Sequence, residues 1–414
     1  MSQLSGKKKI VFDMLLNIVA TAIPTFVLQL LILPSLASHM TDERYGLLVT
    51  ILSLLNIVPA TMGNALNNIR LVEGNEEAET EKVRNYNAIL TALSLVSLGI
   101  VLGFSLYYER TVSPVSLGLT LLVAVLWLLR EYHLVAFRLK LNYVHITISN
   151  IIMVAGYAAG YFVFLRTGHW QIIYLLGLAF SLVFIFMKSS LWREPFKTDG
   201  RLKRIFSQTS LLALSGMLLR VTTYADKMLI FPVIGGALVS VYYASTLFGK
   251  IVSQVITPIS GVMLSYLAKA SRKNDDLFRL TFLSSAAVCL VGYFACVAIS
   301  RPILGWIYPQ FVDGAMQYIW VTTGTAVLTA LISIINPFVL KFFDMKWQIA
   351  INGLYVALYV ALSMALLGAK GLYGFCVGTL VATSLKLLFM LAVYYRSKEK
   401  ALPQNDAASV DSNH

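Results

Sequence analysis

Long apolar runs, separated by short charged or Gly/Pro-bearing segments, recur along the whole chain. A helix crosses the hydrocarbon core of a bilayer with roughly 20 mostly apolar residues, and twelve runs match that pattern. They cover residues 11–38, 45–67, 86–107, 115–136, 146–165, 171–188, 207–233, 237–265, 279–299, 315–339, 347–367 and 372–394. The first follows Lys7, Lys8 and Lys9 and is too long for the apolar core of a signal peptide, so it is a retained span. A short amphipathic stretch, Gly305 to Asp313, precedes the tenth. The pattern predicts an all-α, polytopic membrane protein of about twelve spans.

The polar segments orient these spans. With the N-terminus inside, 24 of the 33 Lys and Arg residues fall in cytoplasmic segments. Arg44, Arg110, Arg166, Arg301 and Lys370 fall outside, and Arg220, Lys227, Lys250 and Lys386 lie within spans. Such a bias over short loops places both termini in the cytoplasm. It also accounts for the net charge of +13 without a nucleic-acid partner. Charged residues make up 13% of the chain, against about 25% in soluble domains, which excludes an ordinary soluble enzyme.

The longest internal polar segment, residues 188–206, divides the spans six and six. Because six is even, both halves cross the membrane in the same sense, as parallel-repeat transporters do. The expected organisation is an N-terminal lobe over 1–200, a C-terminal lobe over 201–396 and a disordered cytoplasmic tail over 397–414. The second span of each half carries a Tyr, a Pro and a Gly in that order: Tyr45, Pro59, Gly63 and Tyr242, Pro258, Gly261.

Polar groups inside spans carry the functional information, because a charge at the bilayer centre costs about 2.5–3.5 kcal/mol on insertion scales. Arg220 and Lys250 fall at similar depths on consecutive spans, and Lys227 lies seven residues beyond Arg220 on nearly the same helix face. Gln254 extends a polar stripe around Lys250. Asp13, Asn17, Thr21, Thr25 and Gln29 recur every four residues on the first span, and the second adds Thr50, Ser53, Asn56 and Asn64, with Pro59 and Gly63 as expected kinks. These faces predict a polar cavity holding Arg220, Lys250, Lys227, Asn17, Gln29, Asn56 and Gln254. Asp226 reads either as half of a packing ion pair or as an ion-coupling group, and Glu131, between Arg130 and His133, as a proton relay or an interfacial salt bridge. Lys386 reads as a cation that snorkels to the inner surface.

Other chemistries find no support. Cys289, Cys296 and Cys376 all sit in apolar runs and indicate neither a disulfide framework nor a metal site. No phosphate-binding G-x-x-x-x-G-K-[ST] occurs, and no cofactor is expected. An ion gradient, the membrane potential or the substrate gradient must then drive transport.

Two segments resemble a known family. The stretch L-x-x-L-P-x-L-A-S-H-M-T-D-E-R-Y-G-L from Leu30 to Leu47, and Tyr224-Ala225-Asp226-Lys227-Met228-Leu229-Ile230 followed by Val241-Tyr242-Tyr243-Ala244, look like Wzx-type polysaccharide flippases of the multidrug, oligosaccharidyl-lipid and polysaccharide export superfamily. An Asp-Arg pair is common there, and Lys227 departs from it with loss of the bidentate fork. The resemblance implies two six-helix lobes around a central cationic cavity, opening alternately to each side. It implies a cargo of polyprenyl-diphosphate carrying an oligosaccharide repeat unit for O-antigen, capsule or exopolysaccharide, moved across the bacterial inner membrane. The polymerase and glycosyltransferases of such a pathway are then candidate partners, alongside membrane lipid. Unmatched cations independently favour an anionic headgroup, and amide and hydroxyl faces suit sugars. An organic-cation or drug antiporter of the same superfamily would need acidic cavity residues, and a membrane polysaccharide polymerase or ligase a larger outer loop with catalytic groups. The chain is expected to be a carrier, not an enzyme.

Overall fold

A computed structural model describes residues 22–73, 86–108, 113–194, 200–249, 251–252, 260, 263, 267 and 273–397. Every regular element among them is helical. Among the described residues nine helices are long and apolar enough to cross a membrane by length and composition, with Ala22–Ser38 a shorter apolar one. In chain order the main elements are α1 (Ala22–Ser38), α2 (Asp42–Ile57), α3 (Pro59–Glu73), α4 (Tyr86–Tyr108), α5 (Pro114–His133) and α6 (Tyr143–Thr167). They continue with α7 (Gln171–Lys188), α8 (Leu202–Ile234), α9 (Gly236–Ser245), α10 (Asp275–Ile307), α11 (Ile319–Phe342) and α12 (Met345–Arg396). Helices α2 and α3 together form the second span, and α9 begins the eighth. The expected tail and the remaining parts of the first and eighth spans lie outside the described residues.

Local chemistry sets the helix ends. Thr41 Oγ1 accepts from the Arg44 amide at 3.4 Å to cap α2, whose first turn carries Asp42 and Glu43 against the helix dipole. Asn142 caps α6 in the same way, and Gly168, at φ 73°, ends it in the left-handed conformation that glycine adopts freely. Lys370 and Gly371 leave helical geometry inside α12 and split it into the two spans the sequence predicts there. The two arms run antiparallel: a Cβ on Gly378 would meet Ser363 Cα, and one on Gly374 would strike the Leu366 carbonyl.

The chain forms two compact units, residues 1–240 and 241–414. In the first, α2 and α3 are central, packed by α5 and by α8, while α6 and α7 form a tight hairpin that also touches α5. The most apolar window of Asp42–Val72 is 89% buried inside the protein. In the second unit α11 packs between α10 and α12. Its core joins Phe278, Phe338, Phe342, Phe343 and Tyr394. The corresponding window of Asp275–Ile307 is only 6% buried, and its outward Leu280, Leu283, Val288, Val291 and Phe294 suit lipid. Packing divides the chain one span later than loop charge does, because α8 lies against α2 and α3.

Small residues set the closest approaches. Gly156 and Gly160, one turn apart on α6, bring its backbone onto Gly177 and Ile173 of α7. In lipid, helices gain no hydrophobic driving force from associating, so small-residue contact of this kind supplies the packing. Gly156→Leu is therefore expected to remove most of the folded protein from membranes, while Gly99→Leu, built into open space, leaves its amount unchanged. Immunoblot and detergent size-exclusion profiles of the two variants check this. Gly63, expected as a kink, instead serves close packing: a Cβ there would sit 2.5 Å from the Leu128 carbonyl. The break in the second span is at Val58 and Pro59.

Candidate transport site

Proline cannot donate a backbone hydrogen bond, and the α2–α3 break precedes Pro59. There the Asn56 carbonyl accepts from Arg220 Nη1 of α8 at 3.1 Å and from Thr61 Oγ1 at 3.4 Å. Gly216 of α8 faces the Thr61 methyl at a distance that leaves no room for a Cβ. Arg220 is half-buried, near the middle of a 33-residue helix, and has no ion-pair partner among the described residues. A fixed positive charge therefore meets a broken helix inside the first unit. Irregular backbone at membrane depth persists where it is buried in protein or lines a wet cavity.

The other expected site residues among those described make contacts of their own. Lys227 is buried and paired with Asp226, whose Oδ1 also accepts from the Lys227 backbone amide at 2.9 Å. Its charge is compensated locally, so of the two expected cations among the described residues Arg220 is the one without a carboxylate partner. Asn56 turns its side-chain amide onto the Leu52 carbonyl of its own helix at 2.9 Å and offers its backbone oxygen to Arg220. Gln29 lies in a π-helical stretch of α1, Leu28–Ile32. Lys250, Gln254 and Asn17 lie outside the described residues. Thr50 and Ser53, expected to face a cavity, are buried and donate to Gly46 and Val49 one turn back, which satisfies them within α2. Lys386 places its ammonium over the Tyr355 ring at 4.4 Å, a cation–π contact.

Glu131 belongs to a second polar centre. It pairs with Arg130 at 2.8 Å, while Arg130 also donates to Ser181 at 3.0 Å and to Asn150. Asn67 donates to the Glu131 carbonyl at 2.7 Å, and Arg138 donates to Asn67 and Asn68 at 2.7 and 2.9 Å. Beside it lies a pair that the sequence does not single out. Arg70 grips Glu194 bidentately at 2.7 and 3.0 Å, both side chains buried, with the Tyr86 ring 4.5 Å from the guanidinium and Tyr132 as a further partner. Asn87 donates to the Glu194 backbone oxygen at 2.6 Å. The network ties α3, α4 and α5 to the segment after α7.

No family model and no curated protein matches the chain. Solved structures do. Lipid II flippase MurJ in an inward closed conformation aligns over 93% of this chain and 87% of its own, with a TM-score of 0.69 and 12% identity. An inward-facing multidrug resistance transporter of the MATE family, in the MOP superfamily, aligns over 92% and 99%, with a TM-score of 0.59 and 13% identity. A MATE structure in the straight conformation gives 0.53 over 93% and 95%, at 13% identity. At these identities the likeness is one of fold. The chain has the all-helical, multi-pass fold of these MATE transporter and lipid II flippase structures.

Proposed function

We propose that this chain is a flippase that moves a polyprenyl-diphosphate-linked oligosaccharide repeat unit across a bacterial inner membrane by alternating access. The observation that carries the reading is the uncompensated Arg220 against the opened backbone at Asn56. A diphosphate brings charge that a guanidinium binds through strong, charge-assisted hydrogen bonds. The proposed path also takes in Lys250 and Lys227 as further cations and Asn17, Gln29, Asn56 and Gln254 as partners for sugar hydroxyls, on their positions in the sequence. An inside-negative potential favours moving the anionic headgroup outward by about 2.3 kcal/mol per charge per 100 mV. The likeness to MurJ supports a lipid-linked cargo, and that to MATE transporters supports a drug antiporter equally at the level of fold. One observation among the described residues favours the flippase. A site for organic cations needs a free carboxylate, and Asp226 and Glu131 each sit against a cation of their own.

The reading places the protein in two six-span lobes, 1–200 and 201–396, with both termini cytoplasmic. Reporters fused after Ser397 and inserted near Thr198 should both read cytoplasm, and an external signal at either would overturn that layout. Deleting the gene should remove surface polysaccharide and leave lipid-linked repeat units to accumulate inside. Intact surface polymer in the deletion strain would remove the proposed cargo.

Asp226 and Lys227 are the proposed coupling pair, with Glu131 as the second candidate. Asp226→Asn should lower flux, and part of that loss will come from a buried lysine left without its carboxylate. The Asp226→Asn, Lys227→Gln double variant removes both charges and should restore protein amount but not flux. Flux in reconstituted vesicles, normalised to protein, checks this, and full flux in the double variant makes the pair structural.

A further inference from the structure

The short helix Val135–Arg138 continues α5 and carries Arg138 onto α3, at the edge of the Arg130–Glu131 centre. On the loop-charge orientation this is the cytoplasmic end of the first unit. Arg138 is half-buried and spends a single nitrogen on the protein: Nη1 donates to Asn67 Oδ1 at 2.7 Å and to Asn68 Oδ1 at 2.9 Å. Its Nε and Nη2 donate to nothing among the described residues. Those two nitrogens form one edge of the guanidinium fork, the geometry that takes two oxygens of a phosphate side by side. Arg138 has no ion-pair partner among the described residues, and Glu131 is held by Arg130 at 2.8 Å.

Arg138 also fixes the orientation of two amides on α3. A guanidinium can only donate, so the atom of Asn68 that it meets is the oxygen. Asn68 Nδ2 in turn donates to Asn64 Oδ1 at 3.0 Å, which leaves Asn64 Nδ2 as a donor with no acceptor among the described residues. Asn64 is half-buried, and neither its Nδ2 nor the two free Arg138 nitrogens are among the buried atoms that lack a partner, so all three are open to a ligand. Thr61, Asn64 and Asn68 fall within about 60° of one another around α3, since each residue turns the helix by about 100°. Thr61 is the residue that bonds the Asn56 carbonyl beside Arg220. One side of α3 thus leads from Arg138 towards Arg220, with Asn68 and Thr61 about 10 Å apart along the helix. What it offers is hydrogens and positive charge, which an anion with several acceptor oxygens meets and an organic cation does not.

We propose that Arg138 and Asn64 form a loading subsite, where the diphosphate of a lipid-linked cargo is held at the inner surface before it passes to Arg220. The proposal deepens the flippase reading and takes from it the choice of a diphosphate among anions.

The test is isothermal calorimetry on the full chain in phosphatidylcholine nanodiscs, with farnesyl diphosphate as the probe and Arg220→Ala as the background, so that the mid-membrane cation contributes nothing. Binding should persist in that parent. Adding Arg138→Gln keeps a donor for Asn67 and Asn68 but removes the charge and the free edge, and should weaken binding about 10- to 100-fold, the worth of hydrogen bonds to a charged group. Adding Asn64→Asp instead keeps the shape and the acceptor for Asn68 but turns the free donor into a carboxylate oxygen, and should weaken binding by about tenfold or more. Both variants should melt with the parent. No binding in the parent, or unchanged binding in either added variant, would overturn the subsite. Inorganic pyrophosphate binding as tightly as farnesyl diphosphate would assign these nitrogens to a free anion, and loss of binding when phosphatidylglycerol replaces phosphatidylcholine would assign them to bulk anionic lipid; either result overturns the proposal. In reconstituted vesicles Arg138→Gln alone should raise the half-saturating cargo density about tenfold, a larger effect than on maximal flux, whereas Arg220→Ala acts on the maximum. A fall in maximal flux at unchanged half-saturation would overturn the loading role. Diphosphate binding with these losses in a chain that flips no lipid-linked sugar would overturn the flippase reading and keep the subsite, and flipping with equal binding in all variants would overturn the subsite alone.

Discussion

Arg220→Ala is expected to lower the flux of lipid-linked oligosaccharide about 10- to 100-fold with protein abundance near normal, since a hydrogen bond to a charged group is worth about 1.5–3 kcal/mol. The substitution deletes a cation that itself costs free energy to place at mid-membrane, so the folded state loses little. The Asn56 carbonyl keeps the Thr61 hydroxyl as a donor. What disappears is the fixed charge available to an entering diphosphate. Arg220→Lys should recover only part of the flux, because an ammonium keeps the charge and loses the planar fork. Flux measured beside quantitative immunoblots decides the matter, and a loss that tracks protein amount would make Arg220 structural.

Glu194→Ala should produce the largest loss of stability, about 3–5 kcal/mol, by leaving the buried Arg70 charge without its carboxylate. The remaining Tyr132 and Tyr86 contacts are neutral groups and cannot replace it. The backbone bond from Asn87 to Glu194 should loosen as well, freeing the segment that leads from α7 towards α8. Replacing both members, as in Arg70→Met with Glu194→Met, should recover much of the loss, since an apolar pair of similar volume tolerates burial. Thermal unfolding of the detergent-purified variants, followed by size exclusion, gives the comparison. Equal melting of Glu194→Ala and the wild type would mean that the pair is wet and weak.

Spans were the most legible feature of the sequence because a bilayer demands long uninterrupted apolar helices, and even the turn at Lys370 and Gly371 was visible as a charge and a glycine between two runs. Pro59 marked the break in the second span for the same local reason. Gly63 was misassigned because a glycine that bends a helix and one that admits a neighbour look alike without the neighbour. Thr50 and Ser53 were placed on a cavity wall although short hydroxyl side chains can satisfy themselves on their own helix. Consecutive helical residues normally point apart, which hid the pairing of Asp226 with Lys227. Arg70 and Glu194 stand 124 positions apart in polar segments that counted only as loop charge, so no local signal joined them. Gly156 and Gly160 did carry a readable signal, the small-residue repeat of tightly packed membrane helices.

The central claim is that Arg220 serves an anionic, lipid-linked cargo. The most direct measurement reconstitutes wild type and Arg220→Ala in sealed vesicles and follows a labelled polyprenyl-diphosphate oligosaccharide and a fluorescent organic cation in parallel. The account predicts that wild type moves the lipid-linked sugar between leaflets, that Arg220→Ala does so at a small fraction of that rate, and that neither transports the cation. Ion-driven transport of the organic cation by wild type, with the lipid-linked sugar left in its original leaflet, would contradict it.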